Sequence, residues 1–182
     1  DPDAITVTPT GANTALIQIA NLETDLTTNN TGTLTIDGAG GADTLTVQGT
    51  SAADTITVAR AATTTFTVNA LKVISSPAAT NEAFVVNADA GSDIITVSGI
   101  FGVASSLLVD GGGPDNSSGG NDRLIVNSVA GITTVRPGFT PDAGTVDVPA
   151  AGSAEDVNFA KLENLTVNGT GALVIRAERV GG

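Results

Sequence analysis

The sequence predicts an all-β fold, a parallel β-helix or β-roll-like solenoid with irregular coils, and three observations carry that expectation. Short segments rich in Thr, Val, Ile and Leu recur roughly every ten residues between stretches of Gly, Asn, Asp, Ser and Ala. Inside them threonine alternates with apolar residues, as in Thr44–Val47 (TLTV), Thr55–Val58 (TITV) and Thr65–Val68 (TFTV), which is the period of a half-buried strand. A turn of glycine and aspartate precedes several of these segments and returns along the chain, the mark of one small unit reused. Many short strands at this spacing also describe a β-sandwich, which is the competing plan.

Taken in order, strands are expected near Val7, Ile17, Leu34, Leu45, Ile56, Phe66, Val73, Val85, Ile95, Leu108, Ile125, Val135, Val146, Leu165 and Val174. Period two turns Leu45, Val47, Ile56, Val58, Phe66 and Val68 toward a core and leaves the threonines outside. Phe84–Val86, Ile94–Val97, Leu107–Val109 and Leu124–Val126 are more continuously apolar. That pattern predicts cover on both faces, by a packed loop or a neighbouring molecule. Asn21–Thr27 reads as an irregular crossing between strands. Gly111–Asn121 (GGGPDNSSGGN) holds no core residue and reads as an inserted loop, while Pro137, Pro141 and Pro149 break any regular ladder across Arg136–Ala154. The chain is thus one all-β repeat domain over residues 1–182, with loop insertions at 111–121 and 136–154.

The turns repeat with drift. Ile36-Asp37-Gly38 leads through Gly41-Ala42-Asp43 into Thr44, and Val86-Asn87-Ala88 leads through Gly91-Ser92-Asp93 into Ile94. Val109-Asp110-Gly111 leads, after its insertion, through Gly120-Asn121-Asp122 into Arg123, and Glu82–Asn87 (EAFVVN) echoes Glu163–Asn168 (ENLTVN). Asp43 and Asp54 stand 11 residues apart, Asp54 and Asp93 39, and Asp93 and Asp122 29. Such spacing excludes a run of uniform nonapeptides and favours coils of roughly 20 to 30 residues with β-roll-like corners.

The net charge of −12 argues against nucleic acid or an anionic membrane as a partner, and suits a cation. No window approaches the roughly 18 apolar residues of a transmembrane helix. The chain contains no Cys, His, Trp, Tyr or Met. Histidine-dependent triads, zinc sites built on nitrogen or sulfur, and haem or iron–sulfur ligation all lack their parts. Acidic residues that could pair with a base, Asp93 with Lys72 or Asp122 with Arg123, sit among ordinary turn residues, and the aromatic platforms of a sugar cleft are missing. The chain is therefore not expected to be an enzyme. It opens Asp1-Pro2-Asp3, without an initiator methionine or a signal peptide, which fits a processed chain and a trimmed one equally.

Gly38–Thr46 (GAGGADTLT) departs only at Ala39 from the nine-residue pattern G-G-x-G-x-D-x-U-x, and Gly49–Thr57 (GTSAADTIT) is a looser second copy. On these residues the turns resemble those of the RTX, or haemolysin-type calcium-binding repeat, proteins. The resemblance implies secretion, a β-solenoid and calcium at the glycine-rich corners. Residue by residue, Asp43 matches the motif aspartate, Asp54, Asp93 and Asp122 match it in degraded turns, and Asp37, Asp89, Asp110 and Asp115 are nearby oxygen donors. Calcium is accordingly the expected cofactor, as a weak brace at several corners.

A solenoid has open ends whose backbone groups template another chain unless capped, and no polar capping helix is evident here. Asp1 and Asp3 begin the chain and Arg176 and Arg179 lie near its finish, so head-to-tail joining of copies is expected. The expected role is an extracellular or cell-surface structural protein, the subunit of a self-assembling filament, sheath or surface layer. The alternative is a monomeric calcium-binding or adhesin module of a larger secreted protein. Of the Asn-x-Ser/Thr sequons at Asn29, Asn116, Asn164 and Asn168, Asn116 is the best placed for glycan.

Overall fold

A computed structural model describes residues 2–30, 32–99, 105–113, 120–128, 131–150 and 153–176, and every regular element among them is a strand. The chain opens as a meander of β1 (Ala4–Pro9), β2 (Thr14–Ile19) and β3 (Leu26–Asn29), antiparallel at each step, followed by the short β4 (Leu34–Thr35). From β5 (Thr44–Gln48) onward the chain passes back and forth between two sheets. One receives β5, β9 (Ala83–Asn87), β11 (Ser106–Asp110) and β15 (Ser153–Ala160). The other receives β6 (Thr55–Arg60), β10 (Ile94–Gly99), β12 (Arg123–Asn127) and β16 (Asn164–Asn168).

Within each set the strands pair in parallel. Leu45, Phe84, Leu107 and Val157 share one row of the first sheet, and Ile56, Ile95, Leu124 and Leu165 one row of the second. The remaining strands flank these stacks. β7 (Thr63–Val68) and β8 (Ile74–Pro77) extend the second sheet beyond β6 by antiparallel steps, with β4 parallel to β8 at the edge. β1 lies parallel to β5 and brings β2 and β3 to the same end of the first sheet. At the other end β14 (Gly144–Ala150) and β13 (Thr133–Pro137) add antiparallel to β15, and β17 (Leu173–Ile175) lies parallel to β13. The orders are β17-β13-β14-β15-β11-β9-β5-β1-β2-β3 and β16-β12-β10-β6-β7-β8-β4.

The alternation read from the sequence decides the core. Leu45, Val47, Ile56, Val58, Phe66 and Val68 are all fully buried, and one apolar cluster draws on both sheets. Phe66 of β7 meets Phe84 of β9 edge to face across it, ring centres 5.3 Å apart. The outer faces keep threonine, but the expected second cover of the middle strands is not supplied by the described chain: Leu108 is 36% exposed and Ile94 42%. These parallel strands are apolar outside as well as inside, and their outer residues remain at the surface.

Two expectations change. Asn21–Thr27 was expected as a crossing, yet Leu26 and Thr27 open β3, because pairing with Ile17 and Leu16 of β2 satisfies their backbone groups. Arg136–Ala154 was expected as an irregular excursion, yet its described part is the β13–β14 hairpin and the start of β15. Pro137 and Pro149 fall at or near strand ends, where a missing N–H costs least. Of the insertion at 111–121, Gly113 forms a parallel bridge to Ala90, and residues 114–119, with Asp115 and Asn116, lie outside the described residues.

Candidate functional site

Parallel pairing places the starts of neighbouring strands side by side, so an acidic residue just before a strand stacks on the acidic residue before its neighbour. Two columns result. Before the strands of the first sheet, the Asp3 N–H donates to Asp43 Oδ1 (2.7 Å) and the Asp43 N–H to Glu82 Oε2 (2.8 Å). Before those of the second, the Asp54 N–H donates to Asp93 Oδ1 (2.7 Å), the Asp93 N–H to Asp122 Oδ1 (2.7 Å), and the Asp122 N–H to Glu163 Oε2 (2.6 Å). The carbonyl of each rung accepts in turn from the next strand, as Asp54 O does from the Ile94 N–H (2.8 Å) and Asp93 O from the Arg123 N–H (2.8 Å). Each strand start thus grips the one before it through a carboxylate and an amide set side by side.

The columns close differently. Asp54 begins its column, and its carboxylate accepts instead from the Thr50 N–H (2.6 Å), the Thr50 hydroxyl (2.9 Å) and the Asn69 amide (2.5 Å). In the first column the place after Glu82 is taken by Ser105, whose carbonyl accepts from the buried Arg60 guanidinium (2.6 Å). The buried rungs Asp43, Asp54, Asp93 and Asp122 are each at most 2% exposed, whereas Glu82 is exposed and Glu163 half-buried. The longer side chain reaches inward from the more open position.

The eight carboxylates singled out in the sequence therefore divide. Asp43 joins the first column and Asp54, Asp93 and Asp122 the second, so the tandem copies at Asp43 and Asp54 belong to different corners. Asp37 and Asp110 turn their own loops, accepting from the Ala39 N–H (3.0 Å) and the Gly112 N–H (2.8 Å), and Asp110 also takes Lys161 Nζ (3.0 Å). The Ala39 N–H, and after it the Thr80 hydroxyl, hold the Asp37 carboxyl below its usual range. Asp89 is exposed at a left-handed backbone position, φ 74°. Sequence reasoning missed Asp3, Glu82 and Glu163 as rungs, although the echo between EAFVVN and ENLTVN contained the signal.

Calcium seeks six to eight oxygens. One oxygen of each buried rung is occupied by a backbone N–H, and no group of three or more acidic side chains among the described residues stands close enough to hold an ion. The acid–base pairs considered from sequence have other partners. Lys72, 1% exposed, gives its ammonium to Asn30 O (2.7 Å), Asn30 Oδ1 and Gly32 O, and Arg123 gives its guanidinium to Thr166 Oγ1 (2.9 Å). At the sequons Asn164 and Asn168, the side-chain amides donate to Asn121 and Asn127.

Burial pushes the Asp93 carboxyl up to about 6, with Asp122, Asp54 and Asp89 adding to the rise and the Asp54 N–H opposing it. A rung matters through the amide it satisfies. Asp122→Ala leaves the Asp93 N–H without its acceptor and is expected to cost about 1–3 kcal/mol in urea unfolding, while Asp122→Asn, which keeps an oxygen there, recovers most of the loss. Compared with known proteins, the chain matches no family model, no curated protein and no solved structure.

Proposed function

We propose that this chain is a structural protein, wound as a two-sheet β-solenoid, that joins head to tail into an extracellular filament or surface layer. One observation supports the reading above others: in each sheet the two edge strands run in the same sense. β2 reverses β1 and β3 reverses β2, while β14 reverses β15 and β13 reverses β14, so β3 and β17 both run with the central parallel strands. The same count leaves β4 and β16 running together in the second sheet. The β17 edge of one copy therefore meets the β3 edge of the next as a parallel pair, and β16 meets β4, which continues both sheets without a reversal.

Exposed apolar side chains sit on these edges, Leu26 on β3 (43%) and Leu173 and Ile175 on β17 (51% and 69%). The Thr133 N–H bonds Ala172 O and the Arg176 N–H bonds Val135 O, both at 2.9 Å, so the intervening Leu173 and Ile175 turn their backbone groups outward. The resemblance of the turns to secreted repeats contributes only the extracellular setting. Of the residues behind the expected charge difference, Asp3 and Arg176 are described, and Asp1 and Arg179 lie outside the described residues.

Light scattering and negative-stain microscopy test the proposal. The unaltered chain is expected to form linear or sheet-like assemblies, and Ile175→Pro, which removes an outward N–H and leaves the β13 ladder intact, is expected to yield folded monomers. Discrete monomers of the unaltered chain at all concentrations would overturn it and favour a module of a larger secreted protein.

A further inference from the structure

Lys72 lies between β7 and β8 and is 1% exposed, yet among the described residues no carboxylate pairs with it. Its ammonium donates instead to three oxygens of one short stretch just beyond β3: Asn30 O (2.7 Å), Asn30 Oδ1 (2.5 Å) and Gly32 O. A buried ammonium held only by neutral carbonyls keeps an uncompensated charge. One of those carbonyls belongs to the side-chain amide of Asn30, an electrophile whose nitrogen can leave as ammonia. Backbone bonds hold both partners in place. The Asn30 N–H donates to Asn13 O (3.0 Å) and the Lys72 N–H to Gly11 O (2.9 Å), both acceptors lying in the turn between β1 and β2, while the Leu34 N–H donates to Val73 O (3.0 Å). Amine and amide therefore stay in contact as long as these strands are folded.

We propose that Lys72 and Asn30 form a modification site, at which the folded chain closes an amide cross-link between its own side chains. The Lys72 amine, having given one proton to solvent, attacks Asn30 Cγ with its lone pair. The new Nζ–Cγ bond forms as the Cγ–Nδ2 bond breaks, and the Asn30 nitrogen leaves as ammonia, carrying a second proton from the attacking nitrogen. No oxidant or other reactant is consumed, and a buried charge is exchanged for a neutral amide. Holding a nucleophile against its electrophile supplies an effective concentration of roughly 10⁵–10⁸ M, and the bond has to form only once per molecule. Asn30 is exposed, which gives the ammonia an exit. The link joins positions 42 residues apart in a chain that has no cysteine and hence no disulfide. It fastens the connection between β3 and β4 to the connection between β7 and β8, and it does not depend on the assembly of copies.

Intact-mass spectrometry of the full chain, folded, incubated and then denatured, tests this. The unaltered protein is expected to weigh one ammonia less than its sequence, and its proteolytic digest to contain a branched peptide that joins the Asn30 segment to the Lys72 segment. Lys72→Arg, which keeps the cation but cannot supply the amine, and Asn30→Ala are each expected to show their full sequence mass. The unaltered chain answers the question by itself even if a variant fails to fold. Its full sequence mass after prolonged incubation would overturn the proposal, as would an ammonia loss that persists in Lys72→Arg or that maps to a succinimide within one segment.

Discussion

Phe84→Ala is expected to cost about 3–5 kcal/mol, the largest loss for any single truncation in this core. Phe84 and Phe66 are both 0% exposed, and they join the two sheets edge to face at an interplanar angle of 72°. The Arg60 guanidinium lies 5.9 Å from the Phe84 ring centre, so the truncation also strips a buried cation of its aromatic face. With only five Phe in the chain, no other aromatic pair among the described residues bridges the sheets. Because Trp and Tyr are absent, the unfolding is followed by far-ultraviolet circular dichroism. A loss below about 1 kcal/mol would mean that the sheets do not depend on this contact.

Gly49→Val is expected to rank next, at about 3 kcal/mol or more, or to prevent folding altogether. A Cβ at position 49 would stand 2.3 Å from Ala88 O and 2.8 Å from Asp54 Oδ2, where the backbone after β9 passes close by. Gly38 is in the same position, with Thr80 O at 2.4 Å and Asp43 Oδ2 at 2.5 Å. Gly40, in the same turn as Gly38, has nothing within 4 Å of such a carbon. Gly40→Val is therefore expected to stay within about 0.5 kcal/mol, and the contrast in urea midpoints between Gly49→Val and Gly40→Val is the check. Equal effects would mean that turn flexibility, not close approach, calls for glycine here.

Much of this architecture was legible because period two is a local signal. All the apolar positions assigned inward in the first three threonine-spelled strands are buried. β15 was not foreseen because its Glu155, Asp156 and Asn158 belong to residue types poor in strands, leaving only Val157 and Phe159 to mark the inner face. β3 was obscured in the same way by Glu23, Thr24 and Asp25 just before it.

The columns were harder to see, since their rungs meet only through parallel pairing. Asp54 and Asp93 lie 39 residues apart, Asp93 and Asp122 29, and Asp122 and Glu163 41. Two of those intervals contain an inserted antiparallel pair, β7 with β8 or β13 with β14, and the variable spacing hides the repeat. Reading aspartate as an ion ligand also excluded glutamate from the count, although a backbone N–H donates to either carboxylate. The motif pointed to the corners where the carboxylates stack, and Glu82 and Glu163 lie outside its spelling.

The antiparallel inserts also bear on the order in which the chain can assemble itself. β1–β2–β3, β6–β7–β8 and β13–β14–β15 link neighbours along the sequence by short loops, whereas every central parallel pair must first close a circuit of some dozens of residues. Local closures come early and long ones late, because the entropy of bringing distant segments together precedes any reward. Three hairpin-rich islands should therefore form before the stacks that unite them, and the carboxylate grips between parallel strands would be among the last contacts made. Until then the inner strands present bare edges, so the vulnerable moment in this protein's life is its own maturation.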